Sequence, residues 1–300
     1  MADLLLERSD GEELYCTGGI TINGWTVSWE GLEDFLALPL TVTTSANVLT
    51  DGSTLVAKRV EEAERTASIV YVGPRDRREV RDQMLAFFNP KYSFRAHVTH
   101  LGVTRWCEGE LVERQVTIQP DRYPCRVTFT LLCPDPYVRG EDIHDESMTD
   151  ASPMLTFPFE CFADPEPGEP QPEVPFGCVA SFRVYDGLNT VYNPGGIPAP
   201  FRITAKMGAA VTNPTFHVND KFVKVVWQFN AGDELVIDFM AAPPTVTING
   251  VSQIQACTRD SVFVGMVLDL GANQFWYEVD TGDVNTMEVS IVYYERYMGV

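Results

Sequence analysis

The feature that most constrains this sequence is a two-residue alternation of apolar and polar side chains, repeatedly interrupted by turn residues and then resumed. It is continuous in the runs "YSFRAHV", "VTRWCEGELV", "RQVTIQP" and "CRVTFTLL" between Tyr92 and Leu132. It returns at Phe201, Ile203 and Ala205, at Val223, Val225, Trp227 and Phe229, at Leu235, Ile237 and Phe239, and at Met287, Val289, Ile291 and Tyr293. Side chains two apart share a face only in an extended chain, so these segments are strands with one buried and one solvated face. Between the later runs lie turn clusters at Asn193–Gly196, Ala231–Asp233, Asn249-Gly250, Gly271–Asn273 and Thr281–Asp283. Short strands at that spacing predict an antiparallel β-sandwich for the second half of the chain.

The first half is also strand-rich, with one helix. "LYCTGGITINGWTVSW" reads as two strands turning at Asn23-Gly24, because Asn-Gly tolerates the positive φ of a tight hairpin turn. "GPRDRREVRDQMLAFFNP" is the helix: Pro74 suits a first turn, Asn89-Pro90 ends it, and Val80, Met84, Leu85 and Phe88 form one apolar stripe. The stripe reads as core rather than as a ligand site. "LTVTTSANVLTDGSTLVAKRV" turns at Asp51-Gly52, with arms of Thr and Ser that offer little to a core. An isolated hairpin is barely stable in water, so this one is expected to project as an arm and to cover Val42, Val48, Leu49 and Leu55 on other apolar surface.

At "FTLLCPDPY" the strand pattern ends, since Pro134 and Pro136 cannot donate to a ladder. From Asp135 to Pro175 there are eleven acids and one base, and "ADPEPGEPQPEVP" (Ala163–Pro175) has the composition of a solvated loop. The expected organisation is a sheet or barrel domain over residues 1–137, an acidic linker over 138–153 and a sandwich over 154–300 beginning with a strand at Met154–Phe162. The formal net charge of −20 falls unevenly: residues 1–134 carry 14 Lys/Arg against 19 Asp/Glu, the rest 8 against 23. Such a surface repels phosphate, which argues against specific nucleic-acid binding. The apolar run Val262–Leu268 is too short to span a bilayer, and Met1–Leu14 does not read as a secretory signal. Seven cysteines without a C-x-x-C pair read as buried thiols of a protein folded in a reducing cytoplasm, not as zinc ligands.

A search for chemistry finds no nucleophile elbow, phosphate loop or dinucleotide fingerprint. No catalytic constellation, cofactor or metal is expected. "HVNDK" places His217, Asn219 and Lys221 on one face of an expected strand. This run is similar to the H-x-N-x-R run with which galectins hold a galactoside. Lys replaces the Arg and loses its planar fork, and "WYE" (Trp276–Glu278) is more than fifty residues away. Chance alternation on a solvent-facing strand is the preferred reading.

The order of several phrases carries a broader resemblance. "PDPY" (Pro134–Tyr137) is followed by "NPGGIPAPFRITAKMGAAVTNPTF", "NAGDELVIDF", "TVTING" and "LGANQFWYEV" between Asn193 and Val279. In this order the chain resembles the distal tail proteins of long-tailed, siphovirus-type phages and related prophages. The resemblance implies a tail-tube-like first domain that assembles with itself into a hexameric ring, and a galectin-like β-sandwich radiating outward. It implies a structural, non-enzymatic virion protein at the distal tail tip, assembled in the bacterial cytoplasm. Its partners would be the tail tube protein, a tail-tip protein and a receptor-binding protein. The arm residues Val42, Val48, Leu49, Asp51, Gly52 and Leu55 would then be ring-interface residues. Two other readings stand beside it: a sugar-binding sandwich that contacts the host surface through His217, Asn219 and Lys221, and an enzyme or unrelated secreted β-protein.

Overall fold

The computed structural model describes residues 2–19, 24–28, 30–32, 35, 38–46, 51–118, 125–153, 181–184 and 188–299. They form two compact units. The first comprises Met1–Asp142 with Gly195–Ile197 and Tyr294–Val300, the second Ile143–Pro194 with Pro198–Tyr293. The fold is mainly β.

The first unit is built from β1 (Ala2–Arg8), β2 (Glu13–Thr17), β3 (Gly24–Val27), β4 (Leu40–Ala46), β5 (Ser53–Val60), β6 (Ala63–Val72), the helix α1 (Arg77–Phe87), β7 (Ser93–His100), β8 (Val103–Ile118), β9 (Cys125–Cys133) and the start of β10 (Val138–Ser147). Seven of these close on themselves in the order β8-β7-β1-β2-β3-β6-β9, with β9 returning to β8. Closure removes the free edges that an open sheet would leave. Alternation sets the inside. In β9 Cys125, Val127, Phe129, Leu131 and Cys133 are all buried, while the residues between them are at least partly exposed.

Helix α1 fills the barrel core with Val80, Met84 and Phe87, and Phe88 just beyond its end lies 4.8 Å from the Phe129 ring. It starts later than the first turn expected at Pro74: Asp76 caps it, its carboxylate accepting from the Arg78 amide at 3.1 Å. The carbonyls that a helix leaves unpaired at its C-terminus are met by two arginines. Arg8 donates to Ala86 and Phe87 (3.1 Å each), and Arg114 donates to Leu85 (2.7 Å) and Phe88.

One expectation fails in this unit. Strands β2 and β3 pair parallel, Cys16 opposite Trp25 and Thr17 opposite Thr26, rather than as a hairpin. Gly24 is the first residue of β3, and parallel neighbours cannot be joined by a two-residue turn. Asn23 lies outside the described residues.

The second unit contains β11 (Asp150–Pro153), β12 (Ser181–Val184), β13 (Asn189–Asn193), β14 (Phe201–Met207), β15 (Val211–Thr212), β16 (Thr215–Val218), β17 (Lys221–Lys224), β18 (Gln228–Phe229), β19 (Glu234–Asp238), β20 (Thr245–Ile248), β21 (Val251–Ser252), β22 (Gly271–Glu278) and β23 (Met287–Tyr297), which ends in the first unit. One antiparallel sheet runs β21-β20-β19-β14-β23 and another β13-β22-β16-β17. Each buries one face in a common core: Phe201, Ile203, Ile237 and Ile291 from the first, Val191, Phe216, Val223 and Phe275 from the second. Two alternating sheets can bury their apolar faces in this way.

Residues 138–153, expected as a linker, hold β10 and β11. The expected strand Met154–Phe162 and the acidic loop Ala163–Pro175 lie outside the described residues. The alternation read through Trp227 is broken there: Val225 and Phe229 are buried but Trp227 is 39% exposed, between β17 and β18.

Candidate functional site

Among the described residues, strands β4 and β5 pair only with each other, as a separate two-stranded sheet. Along β4 and β5 the residues are exposed up to Arg59. The register explains what the arm can offer. Leu40 pairs with Val60, Val42 with Lys58 and Thr44 with Leu55, a bulge after Thr43 shifting the pairing by one residue. Directly paired residues share a face. Leu40, Val42 and Leu55 are therefore gathered on one side of the hairpin, and they are 56%, 45% and 53% exposed. The opposite side carries Thr41, Thr43, Ser45, Thr54, Ala57 and Arg59. This strip leaves about half of each apolar side chain exposed, surface that another chain could cover.

Of the arm residues singled out in the sequence, Val42, Asp51, Gly52 and Leu55 are described. Val48 and Leu49 lie outside the described residues. Gly52 has φ +101°, a conformation that glycine adopts without strain. Leu40 was missed because a leucine at the base of an expected arm looks like core. Only the register shows that it shares a face with Val42 and Leu55.

The second candidate, the "HVNDK" run, is not a strand with one face. Asn219 and Asp220 form the turn between β16 and β17, Val218 pairing with Lys221, and Asn219 sits at φ +54°. Asn takes that conformation more readily than most side chains, so the chain reverses there. Both ends of the Asn219 amide are structural: Oδ1 accepts from the Gln274 amide at 3.0 Å, and Nδ2 donates to Asn273 at 2.9 Å. Lys221 Nζ donates to the Gly265 carbonyl at 2.6 Å.

His217 differs. Register on β22 puts it opposite Trp276, and the rings stack at 4.6 Å and 7°. His217 Nε2 lies 3.3 Å from Glu278 Oε1. Sheet pairing thus closes a sequence gap of more than fifty residues that had separated His217 from "WYE". It does not assemble a three-residue polar face, because the Asn219 and Lys221 groups are engaged elsewhere.

Four of the five described cysteines, Cys16, Cys107, Cys125 and Cys257, are held above the ordinary thiol range. Burial pushes the Cys16 thiol up to about 12 and that of Cys257 to about 11. A hydrogen bond with Cys133 raises the buried Cys107 well above the ordinary thiol range. Cys133 is lowered, first by that bond and then by the Arg65 guanidinium. Among the described residues no cluster of His, Cys, Asp or Glu could hold a metal ion, and no helix is long and apolar enough to cross a membrane.

Residues 194–297 match the family model of the siphovirus-type tail component, C-terminal domain. The resemblance to siphovirus-type distal tail proteins holds. A likeness of fold runs along the whole chain. The Dit protein of phage SPP1, whose structure is described as a paradigm of the hub adsorption apparatus in phages infecting Gram-positive bacteria, aligns with a TM-score of 0.60 at 14% identity. The alignment covers 98% of this chain and 99% of that one. Two structures of the phage P2 baseplate in its activated conformation, with calcium and with strontium, align over all of both chains with TM-scores of 0.54 and 0.52 at 8% identity. No curated protein matches in sequence.

Proposed function

We propose that this protein is a structural subunit of a distal tail hub, six copies of which close into a ring through the barrel unit and join the tail tube to the tip proteins. The observation that carries the reading is the exposed hairpin β4–β5, with Leu40, Val42 and Leu55 on one side. An arm that leaves its apolar side about half exposed at home and is laid on the next subunit makes a heterologous contact, and repetition by one fixed rotation closes a ring. The tail-component match over residues 194–297 and the full-length likeness to the SPP1 hub protein supply the context. The net charge of −20 suits a ring through which DNA must pass without sticking. In this reading the protein is carried in the virion and performs no catalysis. Its partners are its own copies, the tail tube protein and a tail-tip or receptor-binding protein.

Negative-stain images at assembly concentration test the proposal. Six-fold rings are expected; particles of single-chain size at every concentration, with and without tube protein, would refute it. A sugar-binding role for the sandwich is the second reading, favoured only by the His217–Trp276–Glu278 arrangement. A glycan array decides it, and galactoside binding lost in His217→Ala would establish it.

A further inference from the structure

A two-residue turn joins β7 to β8. His100 stands opposite Val103, and Leu101 and Gly102 between them lie at φ +51° and +82°. The turn between β20 and β21 has the same form: Ile248 stands opposite Val251, and Asn249 and Gly250 lie at φ +50° and +76°. Such turns need positive φ at both central residues, which Asn and Gly adopt with least strain. The other non-glycine residues at positive φ among the described residues are Asn213, Asn219 and Asn249. Only at the β7–β8 turn does the chain place a leucine there. The strain gains no burial within the subunit, because Leu101 is 82% exposed and Val103 beside it 50%. A strained apolar residue held in solvent points to a contact outside the subunit.

Charge separates this tip from other apolar spots on the barrel. Two copies of a chain with net charge −20 repel each other, so a contact between them favours surface free of acids. Outside the arm, β1–β9 and their turns expose large apolar side chains at three places among the described residues. Tyr15 lies beside Asp3 and two residues from Glu13, and Val112 lies between Glu110 and Glu113. The third place is the tip, where residues 98–104, "VTHLGVT", contain no Asp, Glu, Lys or Arg. The arm has the same character: in residues 40–57 only Asp51, at its turn, is charged. Topology adds a second match. Strand β6 pairs antiparallel with β9, and β9 with β8, so β6 and β8 run in the same direction. The arm leads into the start of β6 and the Leu101 turn into the start of β8, so both project from one end of the barrel.

We propose that the β7–β8 tip of one copy is the surface on which the arm of the neighbouring copy lies, Leu101 and Val103 packing against Leu40, Val42 and Leu55. This rests on the arm contact of the hub reading and names its acceptor. Arm and tip are different surfaces of the same chain, so the contact is heterologous, as a ring of more than two copies requires.

Two variants of the full chain test it. Leu101→Asn supplies the residue that the turn favours and removes the apolar tip. In sedimentation velocity its assembly should shift to roughly tenfold higher concentration or more, while its thermal melt stays at or above that of the parent. In the second variant Leu101 is replaced by the photocrosslinking residue p-benzoylphenylalanine, and this chain is mixed as a minor fraction into isotopically heavy parent at a concentration that assembles. After irradiation, peptide mass spectrometry should find position 101 joined to heavy peptides from residues 40–56. Rings that crosslink elsewhere, or Leu101→Asn assembling at the parent's concentration, would overturn the acceptor and leave the hub reading standing. A melt that falls together with assembly would also overturn it, by showing that Leu101 serves the fold. A parent chain that stays monomeric would overturn the hub reading and the acceptor together.

Discussion

Placing carboxylates on the apolar strip of the hairpin, in the double variant Val42→Asp/Leu55→Asp, separates its role in the fold from its role between subunits. Full burial of a Val or Leu side chain is worth about 1.5–3 kcal/mol. At 45% and 53% exposure these two have roughly half of that still to gain, about 1.5–3 kcal/mol together at each contact. One tenfold change in association corresponds to about 1.4 kcal/mol, so the lost burial alone weakens each contact by about 10- to 150-fold. The cost of desolvating two carboxylates adds to this. Within one subunit neither residue belongs to the buried core, and the change in folding stability should stay under about 1 kcal/mol. Sedimentation velocity over a concentration series measures assembly, and a thermal melt of the same samples measures folding. A shift of assembly to at least tenfold higher concentration with a nearly unchanged melt is the expected pair of results. Assembly at the parent's concentration would refute the interface argument. A collapsed melt would show that the arm belongs to the core after all.

Three further outcomes follow from named contacts. Arg65 is fully buried and donates to the Phe35 carbonyl and, at 2.7 Å, to that of Pro136; Arg65→Leu should cost about 2–5 kcal/mol in urea unfolding, as two carbonyls lose their donor, and a change under about 0.5 kcal/mol would contradict this. The Cys16 thiol is raised to about 12 from 9.0, so its contribution to stability is intact below pH 9 and declines as pH rises from 9 toward 12, where the unfolded chain loses the proton first. The full window is worth about 4 kcal/mol, and urea midpoints from pH 7 to 10.5 should fall less steeply in Cys16→Ala than in the parent. Asn219→Ala should destabilise the second unit by about 1–3 kcal/mol, since it removes the bonds to Gln274 and Asn273 and leaves a non-glycine residue at φ +54°; His217→Ala should change it much less, and chemical denaturation of the two variants side by side checks the contrast.

What could be read in the sequence was whatever depends on neighbours along the chain. The alternation of Val127, Phe129 and Leu131 gave their common buried face, and of the expected stripe Val80, Met84, Leu85 and Phe88 all but the half-buried Leu85 are buried, with Phe87 added. What could not be read depends on pairing between distant segments. Closure of the barrel through β8 and β9, and the parallel β2–β3 pair, leave no mark on local patterning. The arm showed itself by its poverty of core residues, but the bulge after Thr43 that puts Leu55 beside Thr44 and on the side of Val42 is a property of the register. The "HVNDK" run failed as a strand because period two cannot tell a strand from a strand ending in an Asn-led turn. The same distance that made Trp276 and Glu278 look irrelevant to His217 is removed by one β16–β22 pairing.

Native mass spectrometry of the intact chain, over a concentration range that reaches assembly levels, tests the hub account most directly. A species of six times 33.5 kDa, about 200 kDa, is predicted, dissociating on dilution without intermediate closed forms. A monomer at every concentration, or a closed assembly of another order, would contradict the six-fold ring.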